Sequence, residues 1–420
     1  MSESLDADIG IVLLAAGESQ RMASASKTTS PKALLPWFGR PLIQYQLEQL
    51  AAVVPAHIAL VTGFHAERLA PYANTVAGVH TVQNPDPARG RSSSIVHGVQ
   101  SLPDTLSAFA IVNVDQPCAA SILTKLIAAS ATAGKLITLP RYRGKRGHPP
   151  LFANALRSAL LHVREETQGL KAVTRSHRAD TAYVDIDDPS VVWNLNTPAD
   201  YERAQQQHVL LATTNAAKTE HLAWLLEDMP LRRVTLAEAN LSHVSPPSET
   251  QATLQAIAES KAIAWSRVFG GLAIASDGGI AIPALGDAWE ERLTARFAGS
   301  HATDQQRVEA LLALLRPFKG DERRAYFREC VALANNGTLI QSWSAESPPG
   351  MIAESYRPEQ LVPGFWLLTL WCDSQTGRRF GAPAPDDPAY ADGAWGRIKP
   401  KVQQFIKRYA KRTLNPATRP

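Results

Sequence analysis

Two cations and a carboxylate define the chemistry this chain offers. Arg21 and Lys32 follow a turn of residues with almost no side chain, Ala15, Ala16 and Gly17, while Asp115 ends the later apolar run AFAIVNVDQP. Small side chains let the N–H groups of a turn come close to a ligand and point at anionic oxygens. Added to full positive charge, they make a phosphate cradle. A carboxylate across the same cleft would hold a hard cation such as Mg2+ against those phosphates. As an isolated residue, Asp115 would read equally well as a helix N-cap after a strand.

These side chains need a sheet to hold them. Residues 11–14 are an unbroken apolar run, which predicts a strand covered on both faces and central in a parallel sheet. Residues 108–114 predict a second such strand, which puts Asp115 at the carboxyl edge where the Gly17 turn lies. Between them the pattern predicts a helix at 41–50 carrying Leu42, Tyr45, Leu47 and Leu50, strands at 57–63 and 80–82, and a short helix at 66–72. In NPDPARGRSSSIVHGV, Asn84 ends a strand and Gly90 frees the backbone. Ser92, Ser93 and Ser94 then open a helix with hydroxyls and unpaired N–H groups facing the cleft. The loop RYRGKRGHPP puts Arg141, Arg143, Lys145 and Arg146 beside His148 and Pro149, which would attract a phosphate-bearing acceptor.

Composition narrows the class. At 420 residues the chain exceeds what one core organises, so two domains are expected, 1–206 and 207–420. Its 43 Lys+Arg against 39 Asp+Glu give +4 without a basic stripe, which argues against a nucleic-acid partner. Cys118, Cys330 and Cys372 are too scattered for a disulfide framework or a zinc site. No apolar run reaches spanning length and the first residues are acidic, so a cytoplasmic protein with no membrane partner is expected.

The turn lacks the Gly-Lys-Ser/Thr ending of a P-loop and the GxGxxG of dinucleotide folds. LAAGESQRM followed by PKALLPWFGRPLIQY instead resembles the MobA-like NTP transferases, which include the molybdenum cofactor cytidylyl- and guanylyltransferases. The resemblance implies that the Ala15–Ala16–Gly17 loop, Arg21 and Lys32 hold the triphosphate and that Asp115 binds magnesium. It implies a nucleobase near Asn84, Ser92 and Ser93, and an acceptor near His148 and Pro149. VWNLNTPADY resembles the guanylyltransferase ending and makes Asn194 a second metal contact, whereas the GHP and SSS loops resemble the cytidylyl branch. EETQGL corresponds loosely to a family loop but lacks its aspartate.

The second half opens with HVLLATTNAAKTEHLAWLL, which resembles the TxNxxK opening of the inosine triphosphate pyrophosphatases, the non-canonical purine NTP pyrophosphatases. ETQATLQAIAESKA, IASDGGIAIPALG and TARFAG resemble later segments of the same family. Asn215, Lys218 and Asp277 are the site residues this implies. Ala256 stands in place of a magnesium-binding glutamate, Ser276 replaces the first aspartate of a pair, and PGFWLLTLW replaces a base-reading loop. A weak or inactive pyrophosphatase is therefore expected, serving as a dimerisation module or an NTP-binding regulator. The basic tail KPKVQQFIKRYAKR is expected to be a solvated helix face.

The expected architecture is α/β, with a Rossmann-like, mostly parallel nucleotidyltransferase sheet followed by a mixed-sheet pyrophosphatase-like domain. The expected reaction is magnesium-dependent transfer of NMP from CTP or GTP to a phosphate-bearing acceptor, molybdopterin in the first instance, with a sugar phosphate as runner-up. A homodimer through the C-terminal domain and a molybdoenzyme target are the expected protein partners. Two rivals are hydrolysis at Asp277 with nucleotide binding alone in the first domain, and a non-catalytic carrier that delivers cofactor.

Overall fold

The apolar run near the start of the chain forms a fully buried strand, Ile9–Ala15, and its alternating side chains divide between two cores. Ile9, Ile11, Leu13 and Ala15 face one layer, whereas Val12 and Leu14 face the other. Burial on both faces is what an unbroken apolar strand requires, and it makes this strand the axis of the first unit. The structure is a computed structural model describing residues 8–18, 31–294, 297–299, 301–362, 366–374 and 392–413. The chain divides into two compact units, residues 1–205 and 206–420.

In the first unit the strands are β1 (Ile9–Ala15), β2 (Pro36–Trp37), β3 (Arg40–Pro41), β4 (Ile58–Thr62), β5 (Val79–Gln83), β6 (Ala108–Asn113), β7 (Ile137–Tyr142), β8 (Lys145–Arg146), β9 (Leu151–Ala153) and β10 (Thr181–Asp185). Their order in the main sheet is β10-β7-β9-β6-β1-β4-β5, with β8 on β7 and β2–β3 a separate ribbon. Every pair along the path is parallel except those made by β9. Helices Leu42–Ala51 and Ala120–Ala133 bury apolar stripes on one face. Helix Arg91–Gln100 covers the other. Gly98 makes that second contact close, because a Cβ there would lie 2.3 Å from Val12 Cγ1.

The second unit contains β11 (His208–Leu211), β12 (Arg232–Thr235), β13 (Leu272–Ala281), β14 (Arg324–Asn335), β15 (Thr338–Glu346), β16 (Gly350–Ile352) and β17 (Trp371–Asp373). The order is β12-β11-β13-β14-β16-β17, with β15 also on β14. Parallel pairing stops at β13, and the β13–β14–β15 ribbon is antiparallel, so the sheet is mixed. The basic tail forms helix Ala394–Thr413, but it is more than a solvated face. Ile398, Val402, Ile406 and Ala410, at helical spacing, are buried in the core beneath it, while Lys401, Lys407 and Arg408 stay exposed.

Candidate functional sites

In the first unit, β1 and β6 run side by side with Leu14 opposite Asn113, and the Val114 N–H donates to the Leu14 carbonyl at 3.0 Å. Parallel pairing in this register brings the two carboxyl ends to one edge. The turn after β1 and the turn after β6 therefore open on the same cavity, of about 290 Å³, whose lining includes Ala15, Ala16, Gly17, Lys32, Arg91 and Asp115. A Cβ at Gly17 would meet nothing within 4 Å, so the protein's own packing does not demand glycine there. What its absence leaves free is cavity. Arg21 lies outside the described residues.

The Asp115 turn is held from two sides. Gln46, fully buried on helix Leu42–Ala51, donates to the carbonyls of Asn113 at 3.1 Å and Val114 at 2.9 Å and accepts from the Cys118 N–H at 3.3 Å. From the far end of the unit, the Leu195 N–H donates to the Asp115 carbonyl at 2.9 Å. Lys32 sits on a short turn, Lys32–Leu34, opened by Pro31. Its ammonium lies 3.2 Å from Asp115 Oδ2 and 2.9 Å from Asn196 Oδ1. Asn194 is exposed, and Asn196 is the amide bonded to Lys32. Neither Gln46 nor Asn196 was identified from sequence. The Asn196 N–H donates to the Asn194 carbonyl at 2.8 Å, a tight turn that strand-like alternation along NLN does not anticipate.

Helix Arg91–Gln100 begins after Gly90, whose φ of +92 requires glycine. Asn84 is buried and spends its amide inside the protein, donating to Ser93 Oγ at 2.8 Å and Ser94 Oγ at 2.9 Å and accepting from the Asp86 N–H at 3.0 Å. The Ser92 N–H donates to Glu165 Oε1 at 2.6 Å, so the EETQGL loop caps this helix. Ser92 and Ser93 are thus tied into the scaffold. The cavity is lined instead by Arg91 and Ser94, which helical spacing puts on one side. Desolvation lowers the Arg91 pKa, while Asp115 and Glu165 act to raise it.

His148 and Pro149 follow the β7–β8 hairpin, with the His148 N–H on the Val191 carbonyl at 2.7 Å. Burial, then the charge of Arg91, push the His148 pKa down to about 4 against the opposing pull of Asp115. Its imidazole is neutral at pH 7, and Nδ1 is buried with no hydrogen-bond partner. The expected set of loop cations is reduced by one. Arg141 forms a two-pronged pair with Asp185 at 2.7 and 2.6 Å, because parallel β7–β10 pairing puts the two residues opposite each other.

The second unit has its own cavity, of about 310 Å³, at the carboxyl end of β11. Asn215 caps helix Ala216–Leu225, accepting from the Ala217 and Lys218 N–H groups at 2.9 and 3.2 Å. Lys261 bridges Asp277 at 2.8 Å and Glu249 at 2.6 Å, and Lys218 approaches Asp277 at 3.9 Å. Ala256 is not among the lining residues, but Ser276 and Glu329 are. Burial, partly offset by Lys218, pushes the Glu329 pKa up to about 7. Trp366 and Leu367 line the same cavity, and residues 363–365 of the segment before them lie outside the described residues.

Two α/β units, each with a cavity at the carboxyl ends of its parallel strands and lysine paired with aspartate inside it, present the setting in which α/β enzymes bind phosphate-bearing ligands. Residues 11–182 match the MobA-like NTP transferase domain. Residues 209–364 match the Ham1 family, and the chain belongs to that family through this half. It is 38% identical over 152 residues to a dITP/XTP pyrophosphatase of Salmonella paratyphi A, covering 36% of this chain and 71% of the relative. A dITP/XTP pyrophosphatase of Pectobacterium atrosepticum is 39% identical over 175 residues, covering 42% and 78%. Among solved structures, a HAM1 protein from Coxiella burnetii is similar, with a TM-score of 0.41 and 24% identity over 48% of this chain and 98% of that one. Among the described residues, no helix is long and apolar enough to cross a membrane.

Proposed function

We propose that the first unit transfers a nucleoside monophosphate from CTP or GTP to a phosphate-bearing acceptor, molybdopterin in the first instance. The observation that carries this reading is the shared cavity of Gly17, Lys32 and Asp115 at one edge of adjacent parallel strands. An acceptor phosphate oxygen attacks the α-phosphorus, the bond from that phosphorus to the bridging oxygen breaks, and pyrophosphate leaves with the bond's electron pair. Lys32 neutralises triphosphate charge, the N–H groups of the Ala15–Gly17 turn orient the phosphates, and Arg91 adds a second cation to the lining.

Magnesium fits the donors present. Asp115 Oδ2 and Asn196 Oδ1 already converge on one cation, the Lys32 ammonium, and a carboxylate with an amide oxygen suits a hard divalent ion. When bound there it would supply charge neutralisation next to the reacting phosphates. Neutral His148 lies on the acceptor side in this reading and would accept a hydrogen bond from a protonated acceptor phosphate.

The test is a thermal-shift series with CTP, GTP, ATP and UTP plus magnesium on the full chain and on Asp115→Asn. CTP or GTP is expected to raise the first unit's melting temperature in the wild type, and Asp115→Asn to abolish the shift. Equal shifts in both proteins would refute the assignment.

A second reading covers the other unit. Lys218, Lys261 and Asp277 meet in one cavity, and the relatives of this half are dITP/XTP pyrophosphatases. This favours hydrolysis of a purine NTP to its monophosphate and pyrophosphate there. Release of pyrophosphate from dITP by the Asp115→Asn chain would support it.

A further inference from the structure

The cavity of the second unit contains two buried polar atoms that no protein group satisfies. Ser276 is 3% exposed and its Oγ has no hydrogen-bond partner; Glu329 Oε2 is likewise buried and without one. Both residues line the cavity beside Asp277. Strand register explains why they meet. β13 and β14 are antiparallel, with Ser276 opposite Val331 and Gly278 opposite Glu329, so Ser276 and Glu329 project from one face of the ribbon, two positions apart.

Gly278 lets Glu329 lie where it does. A Cβ at position 278 would come within 2.3 Å of both carboxylate oxygens, so the Glu329 head rests on bare backbone next to Ser276 and Asp277. The Trp395 indole N–H donates to the same carboxylate from helix Ala394–Thr413 and fixes its direction. Leaving a carboxylate oxygen and a hydroxyl buried and unpaired is costly, and a small cation that both can ligate removes the cost.

We propose that Glu329 and the Ser276 hydroxyl form a divalent-cation site on the β13–β14 ribbon, in which a carboxylate reaching over from β14 does the work that Ser276 on β13 is too short and too neutral to do. Among the described residues no three His, Cys, Asp or Glu side chains gather as ligands, so the remaining positions fall to water and to phosphate oxygens of the substrate. Lys218 and Lys261, paired with Asp277 at 3.9 and 2.8 Å, line the same cavity as phosphate contacts. Magnesium or manganese, with oxygen donors only, is the class of ion this set takes. The proposal rests on the second cavity being a phosphate site and is independent of the transferase reading.

The experiment uses the full chain in the Asp115→Asn background and reads Mn2+ binding by electron paramagnetic resonance, with dITP hydrolysis measured in parallel. One Mn2+ per chain is expected. Adding Glu329→Gln should weaken it at least tenfold, and adding Ser276→Asp to Glu329→Gln should restore it, because the negative charge returns to the same place from the neighbouring strand. Rescue of this kind would not follow if Glu329 only supported the fold. Absence of Mn2+ in the Asp115→Asn chain, binding unchanged within twofold in Glu329→Gln, or failure of the rescue at unchanged melting temperature would each overturn the site. Mn2+ binding without dITP cleavage would leave the site standing and sink the hydrolase reading alone.

Discussion

Lys32 and Asp115, 83 positions apart, form a half-buried ion pair at 3.2 Å across the mouth of the first cavity. The pairing matters because both partners are also the groups assigned to the triphosphate. In the free protein each satisfies the other's charge. Nucleotide with its metal would separate them, giving the ammonium to phosphate and the carboxylate to the ion.

Removal of either partner should therefore abolish transfer without unfolding the unit. Lys32→Ala and Asp115→Ala are each expected to lower nucleotide-dependent pyrophosphate release by roughly 10²- to 10⁴-fold. Thermal melts should show the first unit still folded, since the pair lies at the cavity mouth rather than in the core. Wild-type release rates in Asp115→Ala would remove the mechanism.

The two asparagines of the NLN segment separate by position. The Asn196 amide oxygen accepts from the Lys32 ammonium, and Asn194 belongs to the exposed surface. Asn196→Ala should cost at least tenfold in turnover, and Asn194→Ala should stay within about twofold, steady-state kinetics on both variants being the measurement. The reverse ranking would return the metal contact to Asn194.

The pH dependence of the first unit should carry the signature of His148. Its folded pKa, about 4, lies below the ordinary histidine value of 6.5, so the unfolded chain binds more protons between those values. The associated stability is complete above pH 6.5 and is lost as pH falls toward 4, up to about 3 kcal/mol in all. Urea titrations at pH 7.5 and pH 5 should show a smaller acid loss in His148→Gln than in wild type. An imidazole resonance that titrates near 6.5 by NMR would contradict the burial argument.

Arg323 should be a stability residue of the second unit. Its buried guanidinium donates to the carbonyls of Leu315 at 2.6 Å, Ile352 at 2.7 Å and Ala353 at 2.7 Å, tying a helix end to the β16 strand. Arg323→Met removes the charged donor from all three carbonyls, leaving Leu315 with the Phe318 N–H at 3.1 Å, and is expected to cost about 3 kcal/mol. Arg323→Lys should recover little, because one ammonium cannot reproduce the planar fork. Calorimetry resolving the second unit's transition would measure both.

Residue types and their order along the chain are enough to read out β1, the Gly17 turn, Lys32 and Asp115. An unbroken apolar strand can only be central, and a parallel neighbour must end at the same edge. The second family was readable in the same way, from Asn215, Lys218 and Asp277 at the ends of short apolar runs. What the sequence left open was decided by partners distant in the chain. Gln46 clamps the Asp115 turn from a helix whose other buried residues are Leu, Ile and Tyr, Asn196 takes the Lys32 ammonium, and Asp185 takes Arg141 through β7–β10 register. Glu165 caps the helix whose Arg91 and Ser94, not Ser92 and Ser93, line the cavity. Most telling is Glu329: read along the chain it is one more charge in a strand, and only antiparallel pairing against Gly278 sets its carboxylate beside Ser276. Local pattern determines which strands and turns form because burial and backbone preference act over a few residues. Which side chains then meet depends on register and on helix phase, and those are settled by packing across the whole unit.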